Sequence, residues 1–140
     1  MVQITPPVVD TTAFAEVGHD HDDTYEAIHQ SFGLVAIGNS GATPTVDFNT
    51  ARTQSFTLDQ EGVAFALTNL VDGESYALRL QQGAGGSKVP TFSAAGFTLL
   101  WEGGAYPTWS TAEGAVDIVL LRVMGAEVIC ASLLGVTVIS

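Results

Sequence analysis

The chain has 140 residues, 46% of them hydrophobic and 15 of them glycine, which corresponds to one domain with room for a short arm. Four Lys and Arg residues against 15 Asp and Glu residues give a formal net charge of −11. This charge excludes nucleic acid as a partner, because phosphate recognition needs clustered basic side chains, and it also disfavours a membrane surface. The lone cysteine, Cys130, cannot form an internal disulfide, and we interpret it as a small buried hydrophobe.

Residues 1–32 form an acidic segment with six carboxylate side chains and no basic residue. The pair Pro6-Pro7 favours an extended start. Asp22-Asp23-Thr24 precedes Tyr25-Glu26-Ala27-Ile28-His29, an order typical of a capped short helix. We therefore predict an extended N-terminal arm with a short helical turn over 1–32, followed by a β-sandwich domain over 33–140.

From Gly33 onward the pattern is that of short strands separated by turns. Val63, Phe65 and Leu67 alternate with smaller or polar residues, and the same period of two runs from Tyr76 to Leu80. The glycine-rich stretch 83–87 is interpreted as a hairpin tip. Predicted strands cover 34–37, 46–48, 53–58, 63–67, 76–81, 97–101, 118–123, 127–133 and 136–139. Such spacing predicts an all-β fold, namely an antiparallel, jelly-roll-like β-sandwich.

The C-terminal third is apolar on both faces of its predicted strands. Asp117, Arg122 and Glu127 interrupt it, and the charge-free tail is shorter than the roughly 20 residues that span a bilayer, so we expect no membrane partner. Two alternatives stay open for this surplus of apolar side chains: cover by a loop of the same chain, or an interface between subunits. We favour the interface, with contacts from Val119, Leu121, Val128, Ile129, Leu133, Leu134, Val136 and Val138.

Few residues indicate a catalytic or ligand-binding site. Gly38-Asn39-Ser40-Gly41 has a likeness to the nucleophile turn of serine proteases, but it lacks supporting His and Asp residues, and a plain turn is the alternative that we favour. Glu102 and Glu113 flank a tryptophan loop without any sign of a cleft. We predict no enzyme. On the same loop Trp109 and Tyr106 are candidates for a ligand contact, since exposed aromatic rings can stack on a sugar.

The stretch from Ser55 to Gly125 resembles the small β domain of bacteriophage tail-fibre, head-fibre and capsid-decoration proteins. The phrases that carry the resemblance are Asp72-Gly73-Glu74, Gly83-Ala84-Gly85-Gly86-Ser87-Lys88, Leu100-Trp101-Glu102-Gly103-Gly104, Pro107-Thr108 and Val116-Asp117-Ile118. The resemblance implies a trimer in the virion, assembled in the host cytoplasm, whose partners are copies of itself and the major capsid protein or other virion subunits.

Two histidines of the arm could form a metal site in such a trimer. His19 and His21 are two residues apart and point the same way on an extended chain. Three copies around a threefold axis would offer six imidazoles to a transition-metal ion, as similar His-x-His phrases do in phage fibre trimers. The alternative is a pair of solvated histidines, and we expect no other cofactor.

The resulting hypothesis is a trimeric capsid decoration or cement protein that stabilises the head shell. The alternative hypothesis is a short tail-fibre or head-fibre module that contacts a glycan on the host surface. Binding to glycans that depends on Trp109 would distinguish the second from the first.

Overall fold

A computed structural model describes residues 33–138 of the chain. Within this range the chain forms nine strands and one short 3-10 turn, and it contains no helix that is long and apolar enough to cross a membrane. The strands are β1 (Leu34–Asn39), β2 (Thr45–Asp47), β3 (Thr53–Leu58), β4 (Gly62–Thr68), β5 (Ser75–Gln82), β6 (Val89–Ser93), β7 (Thr98–Trp101), β8 (Val116–Met124) and β9 (Glu127–Leu133). The predicted arm and its helical turn fall outside the described residues.

The strands form two sheets between which the chain alternates. The large sheet has the order β1-β3-β5-β8-β9-β7, and the small sheet has the order β2-β4-β6. From β1 to β6 each strand leaves one sheet for the other and then returns beside its predecessor, like successive turns of a coil. β8 then runs antiparallel to β5, and β9 runs antiparallel to β8. β7 closes the far edge of the large sheet, parallel to β9.

The prediction of an all-β fold is confirmed, but the predicted antiparallel pairing is wrong for most of the molecule. Across the two sheets of residues 33–138, five of the seven strand pairs are parallel, and only β5 with β8 and β8 with β9 are antiparallel. The physical reason lies in the connections. Two successive crossings between the sheets bring the chain back beside the earlier strand in the same direction, whereas a hairpin would have reversed it beside its neighbour.

A single hydrophobic core lies between the two sheets. Alternate side chains of β3, β4, β5 and β8 point into it, which gives each strand its period of two. Phe56 of the large sheet meets Phe65 of the small sheet edge to face, with ring centroids 5.1 Å apart. Phe65 in turn stacks on Phe92 of β6 at 5.2 Å. These rings join the two layers at the centre of the domain.

The glycine-rich stretch 83–87 is a crossing between sheets, so its interpretation as a hairpin tip is wrong. It carries the chain from β5 in the large sheet to β6 in the small one. The buried Gln82 side chain holds this loop, because its amide donates to the carbonyls of Lys88 (2.7 Å) and Ser110 (2.8 Å) and accepts from Lys88 N–H (2.9 Å). Ser87 N–H donates to Thr111 O at 2.7 Å. The loop is therefore tied to the segment that precedes β8.

The predicted last strand over 136–139 does not form in its described part. Residues 136–138 have no strand conformation, although Val136 N–H donates to Val116 O at 2.9 Å. A hydrogen bond holds the turn at Gly135 in place, since the buried Asp117 carboxylate accepts from Gly135 N–H at 2.8 Å. The tail therefore continues from β9 alongside the start of β8 without forming a further strand.

Candidate functional site

The outer face of the large sheet is the main candidate site for an interaction. On β8 and β9 the residues that alternate with the core residues point away from it. Across the strands, Leu100 lies beside Ile129, Leu120 beside Ala131, and Leu133 beside Ile118. We call this group the outer patch: Leu100, Ile118, Leu120, Ile129, Ala131 and Leu133. Its four most exposed large members, Leu100, Leu120, Ile129 and Leu133, show between 37% and 52% of their surface to solvent.

Two arginines interrupt the outer patch. Arg122 lies across from Ile129, and Arg79 lies across from Ile118. Arg122 is exposed and its guanidinium donates to the Ser75 hydroxyl at 3.2 Å, while Arg79 is half-buried and donates to the Gln81 amide oxygen at 3.2 Å. Because the whole chain carries only four basic residues, this face is less acidic than the chain on average.

The residues predicted at a subunit interface divide into two groups. Val119, Leu121 and Val128 are almost completely buried in the core of this chain, so the structure corrects their assignment to an interface. Ile129 and Leu133 belong to the outer patch, and Leu134, Val136 and Val138 are exposed in the tail that follows it. Sequence reasoning missed Leu120 and Leu100, which are exposed on the outer patch itself.

The predicted ligand-contact residues lie in a cluster of four aromatic side chains. Ring centroids of Trp101, Tyr106, Trp109 and Phe92 are 5.3 to 6.3 Å apart, close enough for edge-to-face and tilted packing. Trp109 exposes only 7% of its surface, so it packs in the core and cannot offer a free face to a ligand. Tyr106 exposes 41% of its surface, so its ring can still contact a ligand.

The hydroxyl of Tyr106 is occupied by the edge of the small sheet. It accepts from Phe92 N–H at 2.9 Å and donates to Phe92 C=O at 3.2 Å. Both backbone groups belong to β6, whose outer edge has no neighbouring strand in the described sheet. The Tyr106 hydroxyl therefore satisfies the backbone N–H and C=O groups of Phe92, with which an additional strand would otherwise pair. This protects the edge of β6 from unwanted association.

A pocket of about 320 Å³ opens beside this cluster. Its walls include Trp101, Glu102, Tyr106, Pro107 and the end of β9 from Cys130 to Ser132. Glu102 is exposed, and its side chain forms no hydrogen bond or ion pair with another described residue. The indole N–H groups of Trp101 and Trp109 are buried and have no acceptor within residues 33–138. We call this the aromatic pocket; it adjoins the outer patch at Ala131, which also lines a shallow depression beside Leu120 and Ile129.

The loop that carries these aromatics is anchored through Asp117. Its carboxylate, which is 5% exposed, accepts from Ser110 N–H at 2.8 Å and from the Ser110 hydroxyl at 2.6 Å, in addition to Gly135 N–H. A buried carboxyl group of this kind is tolerated because several donors replace its hydration. Asp117 is therefore a structural residue that holds two loops against the start of β8.

Two other carboxylates have a similar structural role in turns. The Gly41 N–H, which donates to Asp59 at 2.9 Å, holds the pKa of that carboxyl below its usual value. The side-chain amide of Asn69 and the backbone N–H of Asn49 lower the pKa of Asp47 in the same manner. These bonds fix turns and do not assemble an acid and a base in one cleft.

The residues singled out for a possible chemistry have structural roles where the structure describes them. The Ser40 hydroxyl donates to Gly41 O at 2.9 Å and to Asp59 at 3.2 Å, which is turn geometry. No set of three or more His, Cys, Asp or Glu residues within 33–138 could hold a metal ion. His19 and His21 lie outside the described residues. Burial raises the pKa of the Cys130 thiol to about 11, so this residue is a poor nucleophile.

No family model, curated protein or solved structure matches this chain.

Proposed function

We propose that the chain is a structural virion protein of a bacteriophage, a decoration protein whose copies associate through the outer patch and cover the head shell as trimers. The observation that carries the proposal is the exposed apolar face formed by Leu100, Leu120, Ile129 and Leu133, which surrounds the exposed Arg122. Apolar side chains grouped in this manner on a small acidic domain are typical of an interaction surface. The proposal of a phage protein rests on the sequence motifs between Ser55 and Gly125 that resemble those of phage proteins.

The area of the outer patch, together with that of the tail, supports association between copies. The patch lies on three strands, β7, β8 and β9, which are about 4.8 Å apart and about 23 Å long on average and give roughly 330 Å² of sheet surface. A standard interface buries about 800 Å² on each partner. The exposed tail residues Leu134, Val136 and Val138 follow the outer patch directly and offer more apolar surface. Patch and tail together therefore supply a large part of the area that stable association needs.

The proposal gives a mechanical role to the protein. Each apolar contact contributes about 25 cal/mol for every Å² removed from water, and several contacts in one ring add to one another. A net charge of −11 keeps separate copies soluble until a matching surface binds. The alternative of glycan recognition loses one of its two predicted residues, since Trp109 packs in the core.

Sedimentation equilibrium on the full chain tests the association, with Leu120→Lys as the test variant. Leu120 is a central member of the outer patch, and burying an ammonium group there weakens association by about 2 kcal/mol or more, which is roughly thirtyfold. Val71→Lys is the matched control, since Val71 is also an exposed aliphatic residue but lies in the loop before β5. Lysine lowers the net negative charge, so weaker binding cannot come from greater overall repulsion.

The expected result is a wild-type trimer that Leu120→Lys dissociates and Val71→Lys leaves intact. A wild-type chain that stays monomeric at high micromolar concentration would refute the association. Electron cryo-microscopy of phage particles that contain the chain tests the location: density for three copies around local threefold points of the head is expected, and density on the tail alone would refute the decoration role.

A further inference from the structure

We propose that the aromatic pocket of one copy receives the guanidinium group of Arg122 from a neighbouring copy. This inference rests on the proposed association and specifies the polar contact that orients it. Its starting point is that the outer patch and the aromatic pocket adjoin at Ala131, so a copy that covers the patch also reaches the pocket.

The pocket has the chemistry that binds a planar cation. Trp101 and Tyr106 form part of its wall, with ring planes at 65° to each other and centroids 5.3 Å apart. A guanidinium group is attracted to the faces of such rings and stacks on them. Glu102 supplies a carboxylate with no partner among the described residues, and carboxylates bind guanidinium through two parallel hydrogen bonds. A net charge of −11 disfavours an anionic ligand in the same place.

Arg122 is the basic residue of this chain that is free to enter such a pocket. Lys and Arg number four in the whole sequence, at positions 52, 79, 88 and 122. Arg52 forms an ion pair with Glu74, while Arg79 and Lys88 are half-buried. Arg122 is exposed on the outer patch, and one hydrogen bond to the Ser75 hydroxyl holds it. Water replaces that bond easily when the side chain moves.

The pocket also has a suitable size and entrance. A volume of about 320 Å³ lies at the lower end of the range for ligand sites, so it suits one long side chain and not an extended ligand. Gly103, which lines the pocket, has no side chain and adopts a φ of 73°. A side chain added there would meet nothing within 4 Å, so the space beside Gly103 is open.

A charge exchange between the two residues tests the contact. Glu102→Arg and Arg122→Glu are made singly and together, and association of the full chain is measured by sedimentation equilibrium. Each single variant places like charges opposite each other and is expected to weaken association by at least about tenfold. The double variant restores opposite charges and is expected to recover most of the loss. Lys88→Gln is the control, because it removes a positive charge that lies outside the outer patch. It is expected to change association less than about twofold.

The outcomes separate this inference from the proposed function. If Leu120→Lys dissociates the assembly but the single charge variants associate like the wild type, the Arg122 contact is refuted and the association through the outer patch stands. Single variants that weaken association without recovery in the double variant also refute the pairing. A monomeric wild-type chain refutes both proposals.

Discussion

Gly86 is the position where the structure allows the sharpest prediction for stability. Its φ is +61°, and a methyl group added there would overlap Thr111 O and come within 2.9 Å of Glu113 N. The neighbouring Gly85 has a φ of +83°, but a methyl group there meets only the Lys88 ammonium, at 3.9 Å. The two glycines therefore share a left-handed backbone and differ in the space around them.

The magnitude follows from these two contributions. A left-handed conformation costs an L-residue about 1 to 2 kcal/mol, and this cost applies to both Gly85→Ala and Gly86→Ala. In Gly86→Ala the loop must also move away from Thr111, which breaks or lengthens the 2.7 Å hydrogen bond from Ser87 N–H between two exposed residues. That loss adds about 1 kcal/mol. We expect about 1.5 kcal/mol of destabilisation for Gly85→Ala and about 2.5 kcal/mol for Gly86→Ala.

Urea unfolding of the full chain, followed by tryptophan fluorescence, measures this difference. Trp101 and Trp109 both pack in or against the core, so their emission reports unfolding of the domain. The midpoint multiplied by the slope of the transition gives the free energy of unfolding for each variant. Equal destabilisation by the two variants would refute the packing of the glycine loop against Thr111, since backbone strain alone would then explain the data.

Two further predictions concern ionisable groups. Because the folded pKa of Asp59 is lowered from 3.8, its contribution to stability is present above about pH 4 and is lost as the pH falls through the folded pKa. Asp59→Asn should therefore destabilise the chain more at pH 7 than at pH 3 in urea unfolding, and an equal effect at both values would contradict the bond to Gly41. With a pKa of about 11, the Cys130 thiol is ionised in only about one molecule in a thousand at pH 8. Iodoacetamide should therefore alkylate the native chain at least about a hundredfold more slowly than the chain in urea; comparable rates would show that the pocket exposes the sulfur.

The sequence predicted eight of the nine described strands, missed β6, and predicted the pairing poorly. Val63, Phe65 and Leu67 are buried as their spacing indicates, and β9 spans the predicted residues 127–133. A period of two is identical in parallel and antiparallel sheets, however, so the pattern carries no information on direction. The glycines at 83, 85 and 86 indicated a tight turn, and only the structure reveals that this turn changes sheets.

Three of the eight residues predicted at the interface, Val119, Leu121 and Val128, are buried in the core. The sequence does not show which face of β8 is buried, because this strand is apolar on both faces and Asp117, a residue type that usually faces solvent, shares a face with Val119 and Leu121. In the structure the carboxylate is buried and satisfied by Ser110 and Gly135, so Leu120 on the opposite face points outward. Donors that lie 7 and 18 residues away cannot be recognised from the spacing of one strand.

The topology of the two sheets has a consequence for how the chain reaches its native state. Of the seven strand pairs, only β8 with β9 joins strands that are consecutive in the described chain. The remaining pairs require loop closure across an intervening strand, which is slow compared with the zipping of a hairpin. The centre of the large sheet, where β5 meets β8, cannot exist until synthesis has passed Met124. A nascent chain therefore carries β5 with one edge unpaired until β8 has been synthesised.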